Sequence, residues 1–199
     1  MTERAAWTVT THDWSADVDR DHLAAIRARP DVYAAGGRRH LILEVLAYAD
    51  EEAASIGRVG RAVVTGLPDG SVSVADDGRG TDTRVDEHGR VIRKHVMATK
   101  DVRFFDAVDA PTLPDGLPRR GMSTVAALSE VLVHENHRAT GAWSQTYRHG
   151  VPDGELHPVS GRGGSGTTVT FRPDPGVGEP AELAGSDLVA FRWLVVELR

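Results

Sequence analysis

The feature that most constrains this chain is a short β-type run that leads directly into Asp-Asp-Gly-Arg-Gly at residues 76–80. Two carboxylates and two glycines immediately after a strand favour close approach of the backbone to a ligand, because glycine has no Cβ to collide with it. Residues 67–70, Leu-Pro-Asp-Gly, are rich in turn formers and separate strands predicted over 61–66 and 71–75. The pattern therefore predicts a hairpin whose second strand ends at a ligand-facing turn.

The clearest helix is predicted over residues 38–56, where apolar side chains recur at spacings of three and four. Positions four and seven or eight apart return to the same side of a helix. The other face therefore gathers four polar side chains, Glu44, Tyr48, Glu51 and Glu52. A solvated face and a ligand site both fit this pattern. A Glu44–Tyr48 pair one turn apart also suits an acid and a base acting on a shared substrate.

The remaining elements predict the architecture. Further helices are predicted over 21–29, 91–99, 121–128 and 183–198, and further strands over 131–134, 143–149 and 167–171. Residues 81–120 are the least regular region and are interpreted as a lid or variable insertion. Residues 1–20 are interpreted as an N-terminal arm, followed by a single domain over 21–199. This order predicts an α+β two-layer sandwich with helices on one face of a mixed sheet.

Composition narrows the functional classes. A net charge of −6 argues against a broad basic surface, so direct DNA binding is not expected. The absence of cysteine excludes disulfides, thiolate metal sites and a cysteine nucleophile. The sequence has neither a signal-peptide pattern nor an apolar run that could span a bilayer. The expected location is therefore the cytoplasm, without membrane contact.

Several segments, taken in order, resemble a known family. They are Arg-Pro-Asp-Val-Tyr at 29–33, His-Leu-Ile-Leu-Glu-Val at 40–45, the run at 71–80, Gln-Thr-Tyr-Arg-His-Gly at 145–150 and Ser-Gly-Thr-Thr-Val-Thr-Phe at 165–171. In this order they resemble the boxes of the GHKL ATPase superfamily, most of all the N-terminal ATPase domain of the gyrase B and topoisomerase IV type. The resemblance implies a GHKL (Bergerat) sandwich. It also implies a stand-alone domain without the transducer and DNA-gate regions of those enzymes.

The resemblance implies an adenine pocket and therefore ATP or ADP as the ligand. Asp76 matches the carboxylate that accepts a hydrogen bond from the adenine amino group. Gly78 and Gly80 match positions where the backbone approaches the base and ribose, and Thr167 matches the threonine that supports the adenine contact. From the residues alone, Asp76 also fits a turn or cap, and Thr167 fits an ordinary strand position.

Two departures concern the phosphate end of the implied pocket. Glu44 matches the general base that activates water. Tyr48 stands where the family places an asparagine that ligates Mg²⁺, and a bulky phenol is a poor ligand for this hard ion. We therefore expect no Mg²⁺ site and predict no metal-ligating residue.

The second departure lies at residues 117–121, where Leu-Pro-Arg-Arg-Gly replaces a glycine-rich phosphate loop. Proline removes one backbone donor, and the arginines add bulk and charge. Arg119, Arg120 and Gly121 remain candidate ligand-binding residues. The two guanidinium groups either hold an anion through their forks or face solvent.

Three hypotheses about function follow. The leading one is a degenerate domain, a pseudo-ATPase, that binds an adenine nucleotide or a related planar ligand with weak or no ATP hydrolysis. The second is a repurposed enzyme that acts on a small molecule through Glu44 and Tyr48. The third is a regulatory or decoy protein for gyrase or its inhibitors, with a second copy of the chain or a gyrase-related protein as partner and the arm as a contact.

Overall fold

The structure, a computed structural model, covers most of the chain. It describes residues 18–81, 83–85, 91–93, 96–105, 107–139 and 141–199, with the backbone alone for 83–85 and 91–93. Most of the predicted arm, residues 1–17, and parts of the predicted lid lie outside the described residues. The division into an arm and one domain therefore remains a prediction. Within the described ranges, no helix has the length and apolarity needed to cross a bilayer.

A mixed sheet of seven strands is the framework of the molecule. The described strands are β1 (Gly60–Gly66), β2 (Val72–Asp76), β3 (Thr83–Val85), β4 (Val91–Arg93), β5 (Ser129–Arg138), β6 (Gly141–Arg148), β7 (Val151–Pro158), β8 (Gly166–Pro173) and β9 (Leu194–Leu198). The main sheet has the order β7-β6-β5-β8-β2-β1-β9, and β3 pairs with β4 separately. The β1–β2 pair is antiparallel, so the predicted hairpin is confirmed, whereas β9 runs parallel to β1.

Helices cover one face of this sheet. They are α1 (Arg20–Arg27), α2 (Pro30–Tyr33), α3 (Gly37–Ala54), α4 (Met122–Ala127) and α5 (Gly185–Leu188). Alternate strand residues point to the same side and form the core with α3 and α4; among them are Ala62, Val74, Leu132, Val169 and Phe171. Each buried Val, Leu or Phe side chain among them contributes roughly 1.5–3 kcal/mol. The predicted α+β class with a mixed sheet is confirmed.

The central helix α3 is buried on almost all sides, because the sheet lies under it and the loop before α4 lies against it. Its apolar residues enter the core, as their spacing predicts. Glu44, Tyr48 and Glu52 are buried as well, whereas Glu51 is half-buried. The solvated-face interpretation is therefore wrong for these three side chains.

Two predicted helices are wrong. Within 91–99, Val91–Arg93 forms β4 and residues 96–99 form a turn. Within 183–198, the chain forms the short α5 and then β9, which adds to the sheet beside β1. In both places β-branched residues favour a strand, and a neighbouring strand supplies the hydrogen bonds that periodicity alone does not reveal.

The edge strand β7 is absent from the sequence-based prediction. It spans Val151–Pro158 and pairs antiparallel with β6. The segment contains two prolines and a glycine and alternates poorly between apolar and polar residues. Proline is tolerated at a sheet edge because one side of an edge strand needs no hydrogen bonds.

Candidate functional site

Asp76 is the last residue of β2, and its carboxylate accepts three hydrogen bonds. It lies at one end of the site, which we call the base end. Its Oδ1 accepts a hydrogen bond from the backbone N–H of Gly78 at 2.8 Å. Its Oδ2 accepts from the backbone N–H of Thr167 at 3.2 Å and from the Thr167 hydroxyl. Burial raises the pKa of Asp76, and these three hydrogen bonds oppose that shift. An ionised carboxylate offers about four acceptor positions, so one is left for a ligand donor.

Both glycines of the segment 76–80, which we call the box, lie where a side chain would not fit. A Cβ on Gly78 would lie 3.0 Å from both Asp76 Oδ1 and the Cβ of Glu52. Gly80 has a φ of +79°, and a Cβ there would lie 2.8 Å from the carbonyl oxygen of His137. Backbone contact and left-handed geometry therefore both require glycine at position 80.

Tyr48 points toward the end of this box and bonds to Thr81. Its hydroxyl lies 2.6 Å from Thr81 Oγ1, which lies 3.3 Å from Nε2 of the buried His134. The side chain of Asn136 clamps Thr81 by accepting from its N–H at 2.7 Å and donating to its carbonyl at 3.2 Å. Burial raises the pKa of Tyr48 well above its usual value and lowers the pKa of His134 to about 3. Both side chains are therefore neutral near pH 7.

Glu44 occupies the other end of the site, which we call the phosphate end. Its side chain is fully buried. Oε1 accepts a hydrogen bond from the backbone N–H of Arg120 at 2.5 Å, and Oε2 accepts from that of Gly121 at 3.0 Å. Burial raises the pKa of Glu44, and His40 with these N–H groups opposes the shift. The loop donors are thus satisfied by a carboxylate of the chain itself.

His40 links Glu44 to the same loop from behind. Its Nε2 lies 3.6 Å from Glu44 Oε1, and its Nδ1 lies 2.7 Å from Asp115 Oδ2. Although burial acts against it, the hydrogen bond from His40 lowers the pKa of Asp115. Sequence reasoning missed both residues as site residues; the spacing of four between His40 and Glu44 on α3 was the available signal.

The guanidinium group of Arg119, in the loop, pairs with the carboxylate of Glu51. Arg119 is buried and donates to both oxygens of Glu51 at 2.8 and 3.1 Å. Its guanidinium also lies 4.0 Å from the ring centre of Phe104. Arg103 binds the same Glu51 at 3.1 and 3.3 Å. The Arg120 guanidinium lies 5.9 Å from the ring centre of Tyr33.

A cleft of about 310 Å³ lies beside these residues. Its charged lining contains three carboxylates and three guanidinium groups: Glu51, Glu52, Asp101, Arg79, Arg103 and Arg119. They pair with one another, with Arg79 to Glu52 at 2.9 Å and Arg103 to Asp101 at 2.7 Å. Tyr48 and Gly121 also line the cleft. This charge balance favours a polar, weakly charged ligand over a polyanion.

The structure gathers the predicted residues into two groups. Asp76, Gly78 and Thr167 are in direct contact at the base end, with Gly80 following in the same turn. Glu44, Arg120 and Gly121 are in direct contact at the phosphate end, and Arg119 and Tyr48 line the cleft. The supporting side chains that sequence reasoning missed are His40, Asp115, His134, Asn136 and Arg103.

Comparison with known proteins identifies relatives of the chain. No protein-family model matches it. DNA gyrase B of Mycobacterium tuberculosis H37Rv is 37% identical over 164 residues, which cover 80% of this chain and 24% of that protein. DNA gyrase B of Streptomyces coelicolor A3(2) is 32% identical over 177 residues, which cover 86% of this chain and 26% of that protein. The chain spans about a quarter of the length of these relatives.

A solved structure agrees with these relatives. The topoisomerase IV ATP-binding domain of Francisella tularensis, solved with a small-molecule inhibitor, superimposes with a TM-score of 0.64 at 23% identity. The match covers 84% of this chain and 45% of the other. The predicted resemblance is therefore confirmed. About four fifths of this chain is related in sequence to a part of DNA gyrase B, and the chain has the α+β fold of a GHKL-type ATP-binding domain.

Proposed function

We propose that the chain binds an adenine nucleoside or nucleotide, or a related planar ligand, and hydrolyses ATP weakly or not at all. The observation that carries this proposal is the bonding of Glu44 to the backbone N–H groups of Arg120 and Gly121. In the family that the sequence resembles, such loop N–H groups wrap the phosphates. The similarity to gyrase B and to the topoisomerase IV ATP-binding domain supports an adenine ligand.

The residues at the base end fit an adenine ring. Asp76 has one acceptor position beyond its three internal hydrogen bonds, which suits the amino group of adenine. Thr167 fixes the carboxylate, and Gly78 and Gly80 let the chain turn closely against Glu52 and His137 beside it. A hydrogen bond to a charged acceptor contributes about 1.5–3 kcal/mol.

The residues at the phosphate end do not fit a magnesium triphosphate. The Tyr48 hydroxyl is bonded to Thr81 and is a poor Mg²⁺ ligand. A triphosphate would have to displace the buried Glu44 from the loop and would then face Glu44 and Glu51. Arg119 is already paired with Glu51 and offers little compensation. We therefore assign no hydrolytic step to these residues.

The contacts do not favour the two other hypotheses. Tyr48 bonds to Thr81 whereas Glu44 bonds to the loop, so the two side chains do not act as one acid–base unit. The raised pKa of Tyr48 also makes it a weak acid at neutral pH. A regulatory role with a second copy or a gyrase-related partner relies on the arm, of which residues 1–17 lie outside the described residues.

Isothermal titration calorimetry with adenosine, ADP and ATP, each with and without Mg²⁺, tests the proposal. We expect adenosine to bind at least as tightly as ATP, with no more than a threefold effect of Mg²⁺, and no turnover in a phosphate-release assay. Binding of ATP that is Mg²⁺-dependent and ten times tighter than that of adenosine would overturn it. So would ATP hydrolysis that disappears in Glu44→Gln.

A further inference from the structure

A second cavity, of about 350 Å³, lies near the first. It shares Glu51 and Arg119 with the cleft, but its other lining residues differ and include Asp50, Leu113 and Phe191. Its volume is at the lower end of the range of about 300–1,000 Å³ that small-molecule sites occupy. The cavity is thus large enough for a small organic molecule.

Asp50 supplies the unmatched charge of this cavity. Its Oδ1 accepts a hydrogen bond from the backbone N–H of Trp193 at 2.6 Å. Among the residues that the structure describes, no cationic side chain pairs with Asp50 within 4 Å, because Arg119 directs its fork at Glu51. Burial raises the pKa of the half-buried Asp50, whereas the Trp193 N–H and the charge of Arg119 oppose the shift and the neighbouring Glu51 adds to it. A ligand cation would relieve this unfavourable position of the carboxylate.

The remaining walls of the cavity are apolar and are held in place by the loop. Phe191, Leu113, Pro111 and Pro114 contribute hydrocarbon and aromatic surface. The loop is closed by hydrogen bonds from Leu113 N–H to the Leu117 carbonyl and from Arg119 N–H to the Pro111 carbonyl, each at 2.8 Å. Such a preformed wall binds a ligand without the cost of ordering a mobile segment.

We propose that the second cavity binds a small organic ammonium ion with an aromatic body. The ammonium group donates to Asp50, and the aromatic body packs against Phe191 and Leu113. Pairing with a carboxylate recognises the ammonium group, and packing against an aromatic ring recognises the aromatic body. Anions are disfavoured by Asp50, because Arg119, the cation of the lining, is already paired with Glu51. A bare metal ion is disfavoured because the walls are mostly hydrocarbon. This cavity adjoins the cleft at Glu51 and Arg119, but Asp50, Leu113 and Phe191 belong to the cavity alone.

Three aromatic probes of matched shape test the charge requirement: 2-phenylethylamine, 2-phenylethanol and phenylacetate. We expect saturable amine binding in ¹H–¹⁵N NMR titrations of the full chain, with the largest shifts at residues 50, 113 and 191. The alcohol should bind at least ten times more weakly, and phenylacetate should not bind. Equal binding of the amine and phenylacetate, or shifts confined to residues 76–80, would overturn the proposal.

Two variants and a matched control assign the interactions. Asp50→Asn should weaken amine binding at least tenfold and remove the preference over the alcohol. Asp109→Asn removes an equal charge from an exposed position outside the cavity and should change amine affinity less than twofold. Phe191→Ala keeps the Asp50–Trp193 bond and should weaken the amine and the alcohol equally, which preserves the test if Asp50→Asn fails to fold. Unchanged amine affinity in Phe191→Ala, or in folded Asp50→Asn, would refute the proposed site.

Discussion

The base end and the phosphate end both contain a buried carboxylate held by backbone N–H groups, but the two carboxylates have different consequences for a ligand. At the base end, Asp76 is held by Gly78 and Thr167, which lie in the same turn and on the paired strand β8. At the phosphate end, Glu44 reaches from α3 to Arg120 and Gly121, 76 and 77 residues away along the chain. The first arrangement leaves a carboxylate oxygen able to accept a hydrogen bond from a ligand. In the second, the backbone N–H groups of the loop already donate to Glu44.

This difference shows that a loop can keep the backbone donors of an anion site while a side chain of the same protein occupies that site. Two backbone N–H groups of the loop still converge on one place, as they would on a phosphate oxygen. The carboxylate of Glu44 takes that place, and the charge of Arg119 is matched by Glu51. Variants that separate the two ends therefore test whether binding depends on the base end alone.

Replacement of Asp76 should have the largest effect on binding. In Asp76→Asn the side chain keeps its shape but loses its charge and one acceptor group. We expect adenosine affinity to fall about 100-fold, which corresponds to about 2.7 kcal/mol, measured by calorimetry. Asp77→Asn is the control, because Asp77 is half-exposed and pairs with Arg58 outside the site. Equal affinities of the two variants would show that the base end does not bind the ligand.

The geometry of the base end predicts a smaller effect on stability. Gly80→Ala combines a positive φ with a Cβ 2.8 Å from a backbone oxygen, and should lower the free energy of unfolding by about 2 kcal/mol. Gly70→Ala is the matched control, since Gly70 has a φ of +82° but no atom within 4 Å of the added Cβ. We expect it to cost about 1 kcal/mol in urea unfolding. Equal costs would mean that the close contact at position 80 is unimportant.

The pH dependence of stability tests whether His134, which contacts Thr81, is buried in its neutral form. Burial lowers the pKa of His134 from 6.5 to about 3, so below pH 6.5 the unfolded chain binds a proton that the folded chain does not. Its contribution to stability is therefore complete above pH 6.5 and is lost as the pH falls toward 3. Between pH 6.5 and 5.5 the loss should be about 1 kcal/mol. His134→Gln should remove this component when urea unfolding is compared at the two pH values, and an unchanged slope would contradict the burial argument.

The base end could be predicted from sequence because its determinants are local. A strand followed by two carboxylates and two glycines specifies the Asp76 turn, and apolar periodicity specifies α3. The pairing of Asp76 with Thr167 required the family resemblance as well, because these residues are 91 positions apart. The structure brings these two predicted residues into hydrogen-bonding contact.

The phosphate end could not be predicted, because its contacts depend on how distant segments meet. Periodicity shows that Glu44 and Glu51 share a helix face but not that Arg119 and Arg120 approach that face from the loop. The same limitation explains the error at 183–198, where β9 depends on its pairing with β1. Sequence patterns indicate which polar residues share a helix face or a turn, whereas long-range packing determines which of them form hydrogen bonds and ion pairs with one another.

Glu44→Gln should have the smallest effect and distinguishes the two interpretations of the phosphate end. Glutamine keeps the shape of Glu44 but has one acceptor oxygen, so the N–H groups of Arg120 and Gly121 can no longer both be satisfied. If Glu44 blocks a phosphate site, the variant should bind ATP about threefold to fivefold more tightly, about 1 kcal/mol or less, with adenosine affinity unchanged.

Calorimetry with ATP and adenosine measures that ratio. The control, Glu130→Gln, removes an equal charge at a half-exposed position paired with Arg172. A general base would respond differently to the same substitution, because removing it abolishes turnover and leaves the ATP-to-adenosine ratio near its original value. A higher ratio without turnover in either protein would therefore identify Glu44 as the group that occupies the phosphate position.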